Sequence, residues 1–241
     1  MKKITVIIPC YNEEKGIDKV VKNIPRDKLK ALGYNTKVIV CDNNSNDKTS
    51  EVAKKAGAIV ILEKKKGKGN AVQTLVKNIS KDTDIVVMLD GDYTYKPQEM
   101  LRLVEPIDSG FSDVVLGSRL SGNIKENSMP VFNRAGNWLF TFMVRVFYHG
   151  NVTDVCTGYF AWKYDKLKQL FKYIEADHFT LEMEMVAKMA RMNFKIISVP
   201  ITYDTRGQSS SELKALTDGR KILFAGIENM FWKPYSKYKS S

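Results

Sequence analysis

The chain contains no run of about 18 apolar residues, so no membrane-spanning helix is expected. Cysteine is scarce: Cys10, Cys41 and Cys156 are odd in number, far apart and without Cys-x-x-Cys spacing. That excludes a disulfide framework and points to reduced thiols in a cytoplasmic setting. Histidine is scarcer still. His149 and His178 show no ligand spacing, and neither reads as a zinc site. The first strand of the pattern is not followed by Gly-x-Gly-x-x-Gly, and no Gly-x-x-x-x-Gly-Lys-Ser/Thr occurs. A dinucleotide-dependent dehydrogenase and a P-loop enzyme are therefore not expected. The two N-terminal lysines lead into an apolar run at residues 4–9 that is too short for a signal peptide. Internal repeats and low-complexity linkers are absent.

What is present suits a globular enzyme. The 241 residues, with 44% apolar and 10% aromatic content, are enough for one large α/β core. The formal charge of +11 calls for an explanation, with nucleic acid, an anionic membrane face or phosphorylated substrates as partners, or ordinary solubility.

One stretch organises the rest: Val86-Val87-Met88-Leu89-Asp90-Gly91-Asp92. Four apolar residues suit a strand buried on both faces, and it ends in two carboxylates one residue apart. In open α/β sheets, ligands bind outside the carboxyl ends of the strands. Two oxygen ligands on one turn can hold a hard divalent cation whose other positions are filled by phosphates. A turn-forming Asp-Gly pair that merely caps a strand is the plainer reading.

Around it, strands are expected at 4–9, 37–41, 58–62, 84–89 and 113–116, and helices at about 15–23, 47–56, 69–79 and 97–105. Tyr11-Asn12-Glu13-Glu14 reads as a helix opening with acidic residues in its first turn, and Asp47 as an N-cap. Five such alternations predict an α/β fold with a mostly parallel sheet. Glu13, Asp42, Asp90 and Asp92 then share one rim. Lys64-Lys65-Lys66-Gly67-Lys68-Gly69-Asn70 joins the third strand to a helix. Cations, glycines and a helix start, Lys68 and Gly69 among them, make an anion site there or simply a solvated basic turn.

The second half differs. Gly117-Ser118-Arg119 ends the fifth strand, and Arg134 follows Met129-Pro130. Residues 138–148 are apolar on nearly every side and too short to span a bilayer, which fits a buried or interfacial helix. A polar-glycine patch, Asp154 with Thr157-Gly158-Tyr159-Phe160, precedes a helix at 180–192 carrying Glu182 and Glu184. Strands at 195–199 and 201–203 are split by Pro200, and Arg206-Gly207-Gln208-Ser209-Ser210-Ser211 is a basic loop. A last helix at 212–232 carries Leu216, Leu223, Ile227 and Met230 on one stripe. Residues 214–241 hold six cations against two acids, net +4, with Phe231, Trp232 and Tyr235 among them. That tail suits a membrane surface or a helix docked on the core.

Ile8-Pro9-Cys10-Tyr11-Asn12-Glu13, Val40-Cys41-Asp42-Asn43-Asn44-Ser45, Lys66-Gly67-Lys68-Gly69-Asn70-Ala71, Asp90-Gly91-Asp92 and Gly117-Ser118-Arg119, taken together, resemble the family 2 glycosyltransferases of the GT-A fold. Thr157-Gly158-Tyr159-Phe160 and Arg206-Gly207-Gln208-Ser209 narrow the resemblance to the dolichol-phosphate mannose synthase-like branch, the polyprenyl-phosphate glycosyltransferases. The likeness covers about residues 3–215. It implies a GT-A domain over 1–211 followed by an amphipathic basic helix and tail over 212–241. It also implies that Pro9, Tyr11, Glu13 and Asp42 hold the base and ribose, and that Asp90 and Asp92 hold Mg²⁺ or Mn²⁺ on the donor diphosphate. Arg206 resembles a diphosphate clamp, and Arg119 and Arg134 resemble ligands of the acceptor phosphate, with Thr157 beside them. Relatives often carry Gln two residues after the second Asp, where this chain has Thr94. They commonly have Ser-Gly-Phe-Phe in place of Thr157-Gly158-Tyr159-Phe160.

The implied activity is an inverting, metal-dependent hexosyl transfer from a nucleotide-sugar to a polyprenyl or dolichyl phosphate. UDP-glucose or UDP-N-acetylglucosamine is favoured as donor, and GDP-mannose is an alternative. A phosphomonoester has a second pKa near ~6 and attacks without a general base, in keeping with a chain that shows no histidine near its motifs. The expected partners are donor, lipid phosphate and the cytoplasmic membrane face, with peripheral attachment, and a second copy or a membrane protein is a further candidate. Nucleic acid is not expected, because the cations flank acidic motifs rather than interleaving with aromatics. The alternatives are a family 2 transferase acting on a saccharide and a sugar-phosphate nucleotidyltransferase.

Overall fold

The computed structural model describes residues 1–148, 151–206 and 215–234, with only the backbone for Ala215 and Leu216. His149, residues 207–214 and residues 235–241, which include Tyr235, Lys237 and Lys239 of the basic tail, lie outside the described residues.

The first half alternates as its apolar runs require. Strands β1 (Lys2–Cys10), β2 (Tyr34–Asp42), β3 (Ile59–Leu62) and β4 (Ile85–Met88) pair in parallel with β1 next to both β2 and β4. Helices α1 (Ile17–Lys22), α2 (Arg26–Ala31), α3 (Thr49–Lys55) and α4 (Lys68–Lys77) make the crossovers. Every residue of β4 is buried. Ile85 and Val87 join the core on one face of the sheet, and Val86 and Met88 the core on the other. A strand covered on both faces needs no polar alternation, which is why β4 is apolar throughout.

The second half completes a seven-stranded sheet in the order β3-β2-β1-β4-β6-β5-β7. Its elements are α5 (Met100–Asp108), β5 (Val114–Ile124), α6 (Val131–Tyr148), β6 (Phe160–Lys163), α7 (Tyr164–Leu170), α8 (Leu181–Arg191), β7 (Ile196–Tyr203) and α9 (Ala215–Asn229). β6 runs antiparallel between β4 and β5. The sequence pattern did not reveal it, because four residues with Trp162 stacked on Phe160 at 4.9 Å carry no periodicity.

Three local expectations are corrected. Tyr11-Asn12-Glu13-Glu14 is not the start of a helix, and α1 begins at Ile17. The amides of Asn12, Glu13 and Glu14 instead donate to Ser45 Oγ, Thr49 Oγ1 and Asp47 Oδ2 at 2.9, 2.8 and 3.1 Å. Side-chain acceptors from the neighbouring turn thus replace the helical ladder. Pro200 does not split a strand. β7 is continuous because it is an edge strand, where a residue without N–H is tolerated. The stripe on the last helix is rotated from the expected one. Ile222 and Gly226 are buried and Leu223 and Met230 half-buried, whereas Ile227 is 44% exposed. The reason is Gly226. A Cβ there would come within 2.3 Å of Met143 Cε on α6, so the glycine lets α9 seat closely. Tyr148 donates a hydrogen bond to the Gly226 carbonyl. Among the described residues, no helix is long and apolar enough to cross a membrane.

Candidate active site

The carboxyl ends of β1, β2 and β4 point to one rim: β1 and β2 end together at the Cys10–Asp42 pair, and β4 ends at Met88 beside Ile7, so the turn with Asp90 and Asp92 follows at that rim. Beyond them, under α6 and α9, lies a cavity of about 1160 Å³. Pro9, Tyr11, Glu13, Lys68, Asp90 and Asp92 line it, as do Arg119 from β5 and Arg206 beyond β7. Asp42, Gly69 and Thr157 do not line it. Asp42 shapes its turn by accepting from the Ser45 amide at 2.9 Å and from the Ser50 hydroxyl. Thr157 donates to the Gly117 carbonyl at 2.6 Å behind the wall. Arg134 is exposed on the first turn of α6 and is not part of the lining.

The carboxylate pair is held by opposite charges. Lys68 Nζ lies 2.7 Å from Asp90 Oδ1 and 2.7 Å from Glu182 Oε1. Burial works against the Lys68 charge, but the two carboxylates outweigh it and hold its pKa above the ordinary lysine value. Arg206 Nη2 lies 2.7 Å from Asp92 Oδ2. Burial opposes the Arg206 charge too, and Asp92 with Asp90 more than restores it. Asp92 Oδ1 accepts from the Thr94 amide and hydroxyl at 3.0 and 2.6 Å, so Thr94 orients the carboxylate. Tyr93, between Asp92 and Thr94, has φ +65°, a conformation that is strained for a bulky side chain and is found at sites where surrounding contacts enforce it. Gly158 faces Asp90 so closely that a Cβ would come within 2.4 Å of Asp90 Oδ2. Cys10 sits in the same wall, and burial pushes its thiol pKa well up.

The residues fit a divalent cation in one specific way. The donors are hard carboxylates from one turn, and among the described residues no cluster of three acidic, histidine or cysteine ligands exists. Two carboxylates suit an ion completed by substrate phosphate and water rather than a closed protein cage. Lys68 and Arg206, now on those carboxylates, have long stems that can turn to phosphate oxygens.

Arg119 is more constrained than its motif indicated. Its Nε and Nη2 donate to the two oxygens of Asp154 at 2.7 and 2.8 Å, and its amide donates to Asp154 Oδ2 at 2.8 Å. Asn137 adds a further donor to Asp154 Oδ1 at 2.6 Å. Asp154 is fully buried, and the Arg119 guanidinium lies 5.2 Å from the Tyr203 ring centre. Sequence reasoning missed Asp154, Glu182 and Asn43 as site residues. Asn43 Oδ1 accepts from the Gly67 amide at 2.7 Å, and its Nδ2 donates to the Lys65 carbonyl at 2.8 Å, which locks the basic turn. The available signal was its place beside Asp42 in the second-strand motif.

A family model described as glycosyl transferase family 2 matches residues 5–171. The chain is 32% identical over 204 residues to a dolichyl-phosphate hexose transferase of Haloferax volcanii, covering 84% of this chain and 83% of that one. It is 26% identical to an undecaprenyl-phosphate mannosyltransferase of Micrococcus luteus, covering 92% and 91%. In three dimensions it resembles glucosyl-3-phosphoglycerate synthase from Mycobacterium tuberculosis, solved with Mn²⁺, UDP and phosphoglyceric acid. The TM-score is 0.75 at 22% identity, over 98% of this chain and 80% of that one. That likeness bears on the fold, which is the GT-A arrangement.

Proposed function

The chain belongs to glycosyl transferase family 2, and from that premise we propose that it moves a sugar from a nucleotide-sugar to a polyprenyl (dolichyl) phosphate. The observation that carries the reading is the cavity at the carboxyl ends of the strands. One side presents the Asp90–Asp92 pair among cations, and the other is walled by α6 and α9, which also expose Trp138, Phe142 and Phe224 away from the cavity lining. The names of the relatives above supply the acceptor class. The proposed donor is UDP-glucose or UDP-N-acetylglucosamine, with GDP-mannose next.

The roles follow from placement. Pro9, Tyr11 and Glu13 line the side proposed for base and ribose, with Asp42 shaping its own turn and Gly69 letting the start of α4 pack against Ala176 and Asp177. A divalent cation, Mg²⁺ or Mn²⁺, on Asp90 and Asp92 would act as a Lewis acid toward the leaving diphosphate. Lys68 and Arg206 are the proposed diphosphate ligands. Arg119, held by Asp154, offers its remaining guanidinium edge to the acceptor phosphate, with Thr157 behind the wall on the Gly117 carbonyl. Arg134 meets the acceptor from outside. A phosphate dianion attacking the anomeric carbon in line needs no general base and inverts its configuration. The enzyme works on the cytoplasmic face, attached peripherally.

The test is a screen of radiolabelled UDP- and GDP-sugars with a polyprenyl phosphate, following label into the organic phase. Label that partitions there only when protein, divalent metal and lipid phosphate are all present supports the proposal. Label that stays in water on a saccharide or phosphoglycerate acceptor overturns it.

A further inference from the structure

The cations that line the cavity are Lys66, Lys68, Arg119, Arg206 and Arg220. Four of them already have work. Lys68 bridges Asp90 and Glu182, Arg206 faces Asp92, and Arg119 is locked two-pronged on Asp154. Lys66 donates to the Tyr11 hydroxyl at 2.8 Å and lies 4.7 Å from the centre of its ring. Arg220 differs. It is exposed, and among the described residues the ion pair of α9 joins Lys221 to Asp218 at 3.8 Å and leaves Arg220 out.

An acceptor phosphomonoester brings about −1.5 to −2 charges. Arg119 alone cannot balance it, because the Asp154 carboxylate beside it is fully buried and already cancels its charge. Arg134, the second cation expected for this task, is absent from the wall. Arg220 is on the wall, which α9 also lines with Ile222 and Leu223, and α6 with Phe132, Leu139 and Phe140 alongside Asn133 and Asn137, so the wall on this side is largely apolar. A guanidinium set in such a surface suits a phosphate that trails a hydrocarbon tail better than a fully polar acceptor, because the tail removes apolar wall from water while the fork binds the head.

We infer that Arg220 captures the acceptor phosphate in this cavity and is a specificity determinant for phosphates bearing an apolar tail. The inference rests on the lipid-phosphate reading above. The same guanidinium chemistry would also serve a phospholipid headgroup, so the test separates the two sources.

The measurement is steady-state transfer by the full chain with two acceptors, soluble geranyl phosphate and a long polyprenyl phosphate in neutral detergent micelles, for wild type, Arg220→Gln, Arg220→Lys and Lys221→Gln. Arg220→Gln is expected to raise the KM for both acceptors about tenfold or more, with the donor KM unchanged. Arg220→Lys should recover part of the loss, and Lys221→Gln, which removes the same charge from the same helix, should leave KM unchanged. An unaltered acceptor KM in Arg220→Gln overturns the inference. So does an equal rise in Lys221→Gln, or a rise confined to the micellar acceptor with soluble geranyl phosphate unaffected, either of which would assign Arg220 to the lipid surface. If the wild type transfers to neither acceptor, the parent reading falls, and this inference with it.

Discussion

Asp154 and Gly158 are not reactive groups, yet they decide where the reactive ones sit. Asp154 accepts four hydrogen bonds, three from Arg119 and one from Asn137, with no solvent contact. Removing one partner of a buried ion pair leaves an uncompensated charge and costs roughly 3–5 kcal/mol. Asp154→Asn should therefore lower the unfolding free energy by about that amount, read by urea denaturation, and an effect under about 0.5 kcal/mol would show that the pair is not buried in solution. Gly158→Ala tests a different point. Its Cβ would collide with the Asp90 carboxylate rather than with the core. The expected outcome is a loss of transfer on the order of 10²-fold, the scale set by losing one preorganised electrostatic group, with the thermal midpoint little changed. Normal activity would mean that Asp90 need not hold that position. Asp90 and Asp92 themselves were legible from sequence, because a buried apolar run that ends in two carboxylates is a local pattern. Asp154 was not, since nothing local says that a carboxylate thirty-five positions from Arg119 is its counter-ion.

At the scale of elements, α6 is where sequence left two readings open, buried or interfacial. The structure gives one face to each. Asn137, Thr141, Met143, Val144 and Tyr148 point inward, while Val131, Phe132, Trp138, Leu139 and Phe142 are exposed. Trp138 stacks on Phe142 with ring centres 5.8 Å apart. Contiguous exposed aromatics on a helix mark an interaction surface, and an acceptor anchored in a bilayer makes the membrane the proposed one. The double substitution Trp138→Ser with Phe142→Ser should reduce flotation with liposomes at both low and high salt, while leaving the thermal midpoint unchanged. Apolar insertion is not screened by salt, whereas attraction of Arg134 and the C-terminal lysines is. Equal flotation of wild type and variant would remove this face as the contact.

For the molecule as a whole, the sheet brings β1, β2 and β4 to one rim, and the second half roofs it with α6 and α9. The consequence is a charged cavity in which two carboxylates face the proposed cation, and among the described residues no cluster of three such ligands forms. EDTA should abolish transfer by the wild type, and Mg²⁺ or Mn²⁺ should restore it. Asp92→Asn should remain inactive at any metal concentration with its fold intact by circular dichroism. Full activity in EDTA would remove the metal from the proposal.

By itself the sequence determined the architecture of the first half and the identity of the charged rim. Apolar runs of strand length, separated by helical periods, leave few ways to bury their faces, and parallel pairing then aligns their ends. Spacing therefore sufficed for the cavity-lining Pro9, Tyr11, Glu13, Lys68, Asp90 and Asp92. Only the tertiary structure decided how the charges pair. Lys68 with Glu182, Arg119 with Asp154 and Arg206 with Asp92 are contacts between residues distant in the chain. The structure also moved Arg134 off the wall and brought Arg220 onto it. Period and composition report which face of an element avoids water. They do not report which two elements meet, and a buried ion pair or a cavity wall exists only once those elements are packed.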